Sequence, residues 1–218
     1  MVIKEIVKFV TKPVLKILDL DSLYSLRKSD YLKKVGWFRS HKEQLPIDNN
    51  GNPLPWMTYP SISFLEKRIN KEMTIFEYGC GNSTLWWANR VNRVISCEHD
   101  KQWYEEMKKK IPSNVDLFYV ELYIDDSYAK KIIEYNKKFD IVILDGRDRV
   151  NCAKNALQSL KEWGAIVWDN SDRSSYKEGF EYLFEKGFKK IDFEGMGPVN
   201  NYSWCTSIFY KNENCLEI

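Results

Sequence analysis

The sequence predicts an α/β protein: a doubly wound, mostly parallel sheet of seven strands with an antiparallel C-terminal hairpin, preceded by an N-terminal helical extension. Three observations carry this. From Trp56 onward, short apolar strands alternate with polar-faced helical segments, the sequence form of a parallel sheet with helical crossovers. The last two strand-like segments, Lys189–Phe193 and Ser203–Tyr210, have no helix between them and should pair antiparallel. A length of 218 residues suits one such domain with a modest extension and is too short for two.

The elements follow in order. Ile3, Ile6, Val7, Val10, Val14, Ile17 and Leu18 stand at helical spacing, and Lys4, Lys8, Lys12 and Lys16 step along another face, so the first 18 or so residues read as an amphipathic helix interrupted near Pro13. Such a helix docks on the main domain or a second subunit, giving a homo-oligomer, or rests on a membrane surface as a peripheral contact. A charged helical segment covers Asp21 to Lys34. From Leu45 to Pro55, three prolines and an Asn-Gly pair forbid regular structure. The chain therefore divides into an extension with its Pro-rich loop, 1–55, and a core domain, 56–218. Strands are expected at Thr74–Tyr78, Arg93–Cys97, Asp116–Val120, Asp140–Leu144 and Ala165–Trp168. Helices are expected near Ser83–Asn89, Lys101–Lys110, Tyr128–Tyr135, Asn151–Leu160 and Tyr176–Lys186.

Composition excludes several classes. Lys and Arg number 33 against 31 Asp and Glu, a formal net charge of +2, so no global field favours nucleic acid, and no basic stripe appears. Five scattered cysteines without CxxC spacing suit reduced thiols in a cytoplasmic protein better than a disulfide scaffold or zinc site. No apolar run is long enough to span a bilayer, and the N-terminus lacks a signal-peptide pattern.

Three places carry chemistry. The first is the turn after the first strand, Glu77-Tyr78-Gly79-Cys80-Gly81-Asn82-Ser83. Gly79 and Gly81 let the backbone turn and approach a ligand, and Ser83 stands where it can cap the next helix. The third glycine of a dinucleotide fingerprint would fall at Thr84, which argues against nicotinamide and flavin dinucleotides. The second is Glu98, ending the second strand at the offset where a carboxylate accepts both ribose hydroxyls. His99 beside it reads as a cofactor-edge or structural residue. The third is the pair of loops Asp145-Gly-Arg-Asp-Arg149 and Asp169-Asn-Ser-Asp-Arg173 after the fourth and fifth strands. Asp148 and Asp172 read as solvent-exposed ion-pair partners of Arg149 and Arg173. Asp145 and Asp169 end very apolar strands and should be rigid and partly desolvated.

Phe76 to Trp87, followed by Val94-Ile-Ser-Cys-Glu-His-Asp100, resembles the first two motifs of class I, Rossmann-like S-adenosylmethionine-dependent methyltransferases, over roughly Trp56 to Tyr210. With Asp145-Gly146-Arg147, it resembles small bacterial enzymes of surface-glycan or natural-product modification. The resemblance implies that Glu77, Gly79, Cys80, Gly81, Asn82 and Ser83 hold the methionine moiety, Glu98 the ribose, and Glu121 or Leu122 the adenine, with Asp145 also at the cofactor. It implies O-methyl transfer to a hydroxyl of a small molecule or glycan precursor. A hydroxyl acceptor must lose a proton as it attacks, and Asp145 is the first candidate base.

Asp145, Asp169 and Asn170 also resemble the magnesium ligands of catechol-type O-methyltransferases, although Gly146-Arg147 departs from that pattern; metal-free activation is the expectation. Arg147, Arg149 and Arg173 could clamp an acceptor carboxylate or phosphate. Trp56, Tyr59 and Trp204 are aromatic candidates for the pocket rim. Two other functions use the same fold: aminopropyl transfer, disfavoured because Arg147 and Arg149 would repel an amine, and a non-catalytic interaction module.

Overall fold

The computed structural model of the protein describes residues 20–28, 30–122 and 124–218; the helix expected over residues 1–18 lies outside them. Its centre is a seven-stranded sheet in the order β3-β2-β1-β4-β5-β7-β6. The strands are β1 Thr74–Tyr78, β2 Arg93–Glu98, β3 Val115–Tyr119, β4 Phe139–Leu144, β5 Leu160–Asp169, β6 Lys189–Gly195 and β7 Trp204–Tyr210. The first five pair in parallel, and β7 lies antiparallel between β5 and β6. Each strand stands within a few residues of its expected place except β5, which begins five residues early. Lys161, Glu162 and Gly164 break the apolar pattern there, but Leu160 still pairs with Phe139 across a register shift.

Helices flank the strands: α1 Leu20–Lys28, α2 Asp30–Lys34, α3 Trp37–Glu43, α4 Tyr59–Glu66, α5 Asn82–Ala88, α6 Lys101–Lys108, α7 Ser127–Lys130, α8 Arg149–Ser159 and α9 Lys177–Glu185. The helix expected over Tyr128–Tyr135 is instead α7 followed by a 3-10 turn, Lys131–Glu134. Alternation along the strands feeds two cores. Phe76, Tyr78, Val142, Leu144, Ile166 and Trp168 pack with α8, α9 and the α7 region. Ile75, Ile141, Ile143, Ala165 and Val167 pack with α4 and α5. Every residue of β4 is buried, so its end is held rigidly from both faces.

β6 runs in the same direction as the first five strands, so its connection to β7 leaves from their carboxyl edge, where ligands bind in open α/β sheets. α3 is fastened to this connection. Trp37 Nε1 donates to Asn200 O at 2.7 Å, His41 Nδ1 lies 2.7 Å from Val199 O, and Ser40 Oγ accepts from Val199 N at 3.0 Å. The Pro-rich loop reaches the turn after β1, where Asn82 Nδ2 donates to Pro46 O at 2.8 Å. Among the described residues, no helix is long and apolar enough to cross a membrane.

Candidate functional site

The ends of β1, β2 and β4, with Arg173 and Tyr176 from the segment after β5, surround a cavity of about 460 Å³, within the size range of small-ligand sites. Glu77, Gly79, Cys80, Ser83, Glu98, His99, Asp145 and Arg147 all line it. The turn after β1 is tied down on every side. Gly79 N donates to Cys97 O, Ser96 Oγ to Gly79 O, Glu98 Oε2 accepts from Cys80 N, and Trp103 Nε1 donates to Cys80 O. Gly79 has φ +95, and a Cβ there would stand 3.3 Å from the Gly146 Cα, so the turn and the end of β4 are in close approach.

The expected cap is corrected. Ser83 makes no capping hydrogen bond: the helix starts at Asn82, and Thr84 Oγ1 accepts from Gly81 N at 2.9 Å while donating to Glu77 Oε2 at 2.5 Å. Thr84 thus fills the place of the missing third glycine with a hydroxyl that joins the turn to β1. Glu77 is buried, and burial pushes its carboxyl up to about 7, against the donors of Ser83, Thr84 and Trp87. Among the described residues, only Thr84 makes a hydrogen bond of normal geometry to the carboxylate; Ser83 and Trp87 stand near enough to favour its charge, but Glu77 Oε1 and Trp87 Nε1 are each left without a bonded partner. A buried acceptor with an open position beside a cavity has room for a donor from a ligand.

Glu98 is 4% exposed, and its carboxylate also organises the backbone: Oε1 accepts from His99 N at 2.7 Å and Asp100 N at 2.8 Å. The His99 ring stands edge-on to Tyr128. Three residues expected at the cofactor, Gly81, Asn82 and Glu121, do not line this cavity. Asn82 spends its side-chain amide on Pro46 O, and exposed Glu121 accepts from Tyr119 Oη at 3.3 Å. Leu122 instead lines a neighbouring cavity with Asp125 and Asp126, which shares Arg147 and Asp148 with the first. Tyr59 and Trp204 are corrected from rim to core, since both are buried; Trp56 is exposed.

At the ends of β4 and β5 the arginines separate into two kinds. Arg149 is 6% exposed and makes five hydrogen bonds, matching its five N–H donors. Nε donates to Gly146 O, Nη1 to Asp169 O and Asn170 Oδ1, and Nη2 to Asp145 O and Asp145 Oδ1. It can therefore neither clamp an acceptor nor form the exposed pair with Asp148 that the sequence suggested. Asp148 accepts from Asn151 Nδ2, and Asp172 from Cys205 N. Arg147 and Arg173 are exposed at the cavity, with no ion pair among the described residues; Arg173 Nη1 donates to Tyr176 Oη at 3.3 Å.

Asp145 Oδ1 lies 3.0 Å from Arg149 Nη2, and no described residue donates to its Oδ2. Burial raises its pKa; Arg149 opposes this, while Asp169 and Glu77 add to it. Asp169 is buried, and its Oδ1 accepts from Trp204 Nε1 at 3.0 Å and from Thr206 Oγ1, so its carboxylate latches β5 to β7. Magnesium does not fit the Asp145, Asp169 and Asn170 set as it stands, because the first and third already face a guanidinium and the second serves β7. None of these signals was readable from the loops, except the i,i+4 spacing of Asp145 and Arg149.

No protein-family model matches the chain, and no curated protein matches it in sequence. Solved structures do resemble it. A precorrin-6y C5,15-methyltransferase from Geobacter metallireducens is 15% identical with a TM-score of 0.56, over 79% of this chain and 96% of its own. A methyltransferase from Geobacter sulfurreducens is 15% identical with a TM-score of 0.53, over 84% and 90%. Spermidine synthase from Thermotoga maritima is 16% identical with a TM-score of 0.53, over 74% and 59%. The chain has the class I, Rossmann-like S-adenosylmethionine-dependent methyltransferase fold.

Proposed function

We propose that the protein is an S-adenosylmethionine-dependent methyltransferase acting on a hydroxyl of an anionic small molecule or glycan precursor. The observation that carries this reading is the unpartnered Glu77 Oε1, buried beside a cavity that Gly79 and Gly146 bring close to the backbone. A cationic amino group is the partner such an acceptor needs, and the methionine moiety of the donor has one. In this reading Glu98, at the end of β2, takes the ribose, and Leu122, in the neighbouring cavity, the adenine. When bound, the donor supplies an electrophilic methyl group.

The chain's own part is positioning and proton removal. Asp145 Oδ2 faces no protein donor and serves as the base that takes the acceptor's hydroxyl proton. Arg147 and Arg173 hold the acceptor's carboxylate or phosphate, and their charge disfavours the amine of an aminopropyl acceptor. Calorimetry with S-adenosylhomocysteine tests the reading: micromolar binding is expected, weakened about 10- to 100-fold in Glu98→Ala as charge-assisted hydrogen bonds are lost. Because Glu98 also holds Cys80, His99 and Asp100 amides, that variant should melt earlier too. No binding of either cofactor form to the wild-type protein would sink the proposal.

A further inference from the structure

Arg149 is the one guanidinium of the site with every donor occupied, and its partners come from two strand ends: Asp145 and Gly146 just after β4, Asp169 closing β5 and Asn170 just after it. A carboxylate oxygen, an amide oxygen and three main-chain carbonyls converging on one point are oxygen donors of the kind that surround a hard divalent cation. Here they surround a side chain of the same protein. We propose that Arg149 is a positioning residue that stands in for a divalent metal, binding the ends of β4 and β5 together and turning Asp145 so that Oδ2 is left for the acceptor. The inference rests on the methyltransferase reading of this cavity, and it makes the site complete without a metal ion.

Three features of the arrangement support it. Arg149 sits at the first turn of α8, four residues after Asp145, so the helix delivers the guanidinium to the same strand end that presents the base. Its face is covered by Tyr176, whose ring centroid lies 5.7 Å from the guanidinium carbon. Planar guanidinium hydrogen bonding fixes direction, whereas a lysine in the same place would supply charge with three donors and no fork. The remaining charged groups facing Asp145 are Asp169, Glu77 and Arg173; of these only Arg173 is a cation, and it is exposed.

The test is Mn²⁺ binding followed by electron paramagnetic resonance, together with thermal melting, on the full chain. Wild-type protein should bind no Mn²⁺ at an Asp145-dependent site and melt at the same temperature with or without it. Arg149→Ala opens the oxygen cluster, so it should melt several degrees lower, bind Mn²⁺ and recover part of the loss in its presence; adding Asp145→Asn should abolish that recovery. Arg149→Lys should keep the wild-type indifference to Mn²⁺. Mn²⁺ binding by the wild type that Asp145→Asn removes would overturn the inference, and so would an Arg149→Ala protein that is destabilised yet ignores Mn²⁺. Should Arg149→Ala not fold, Arg149→Gln, which removes the charge while keeping much of the volume, takes its place: Asp145-dependent Mn²⁺ binding is expected, and its absence would overturn the inference. S-adenosylhomocysteine calorimetry on the same samples separates the two claims: binding with an Mn²⁺ site leaves the methyltransferase reading standing, while absent binding removes that reading instead.

Discussion

Gly79 and Gly81 look interchangeable in a G-x-G turn, but the backbone distinguishes them. Gly79 occupies the left-handed region and abuts Gly146, whereas Gly81 is extended and a Cβ there would find only Trp103, at 4.0 Å. Gly79→Ala should therefore lose about 1–3 kcal/mol of stability from strain at a positive φ, and with it cofactor binding. Gly81→Ala should fold like the wild type. Chemical denaturation of the two variants beside calorimetry checks this; equal behaviour would mean that the turn is not shaped by its approach to β4. Residue types at strand ends were legible in the sequence because motif and apolar run coincide, as at Glu98 and Asp145. Arg149 was not legible: a loop written Asp-Gly-Arg-Asp-Arg looks solvated, and its acceptors lie partly 20 residues away on another strand.

At the scale of elements, the strands and crossover helices follow from periodicity, but the docking of α3 does not. Its polar residues Ser40 and His41 look like surface positions, yet they hold the backbone of Val199, a β-branched residue at φ +69. Such a conformation persists only when the surroundings enforce it. Ser40 is fully buried, and its hydroxyl both accepts from Val199 N and donates to Leu45 O. Ser40→Ala leaves two main-chain groups without a partner and should cost about 1–3 kcal/mol. Amide exchange at Val199 should quicken in the same variant, while S-adenosylhomocysteine affinity holds, because the connection borders the carboxyl edge beyond the turn that lines the cavity. Slow exchange at Val199 in Ser40→Ala would show that His41 and Trp37 alone fix the connection.

For the whole molecule, the sheet gathers Glu77, Glu98, Asp145 and Asp169 at one edge, and the three of them that burial perturbs, Glu77, Asp145 and Asp169, set how stability depends on pH. Burial lifts Glu77 from 4.5 to about 7 and raises Asp145 and Asp169 as well. A carboxyl whose pKa is raised by folding binds its proton more tightly in the folded state than in the unfolded chain. Its contribution is thus fully present below the unfolded value and is lost as pH climbs through the folded one. For Glu77 the loss between pH 4.5 and about 7 is on the order of 3 kcal/mol. Asp48 and Asp192 act in the other direction. Burial raises each, but Asn52 and its neighbouring amides around Asp48, and Lys190 and Ser207 around Asp192, bring both below 3.8, so their support disappears in stronger acid. The cofactor-free protein should therefore be most stable near about pH 4–5 and weaker at pH 8, contrary to the usual neutral optimum. Glu77→Gln keeps an acceptor for Thr84 without the charge, so it should flatten this decline and melt above the wild type at pH 8 while binding S-adenosylhomocysteine less tightly, since the unpartnered oxygen no longer offers a charge to the ligand's amino group. Melting curves from pH 4 to 8, with and without S-adenosylhomocysteine, measure both effects. A wild-type melting temperature that rises steadily to pH 8 would mean that Glu77 is ionised in the folded protein without help from a ligand, and the open acceptor would lose its claim on the cofactor.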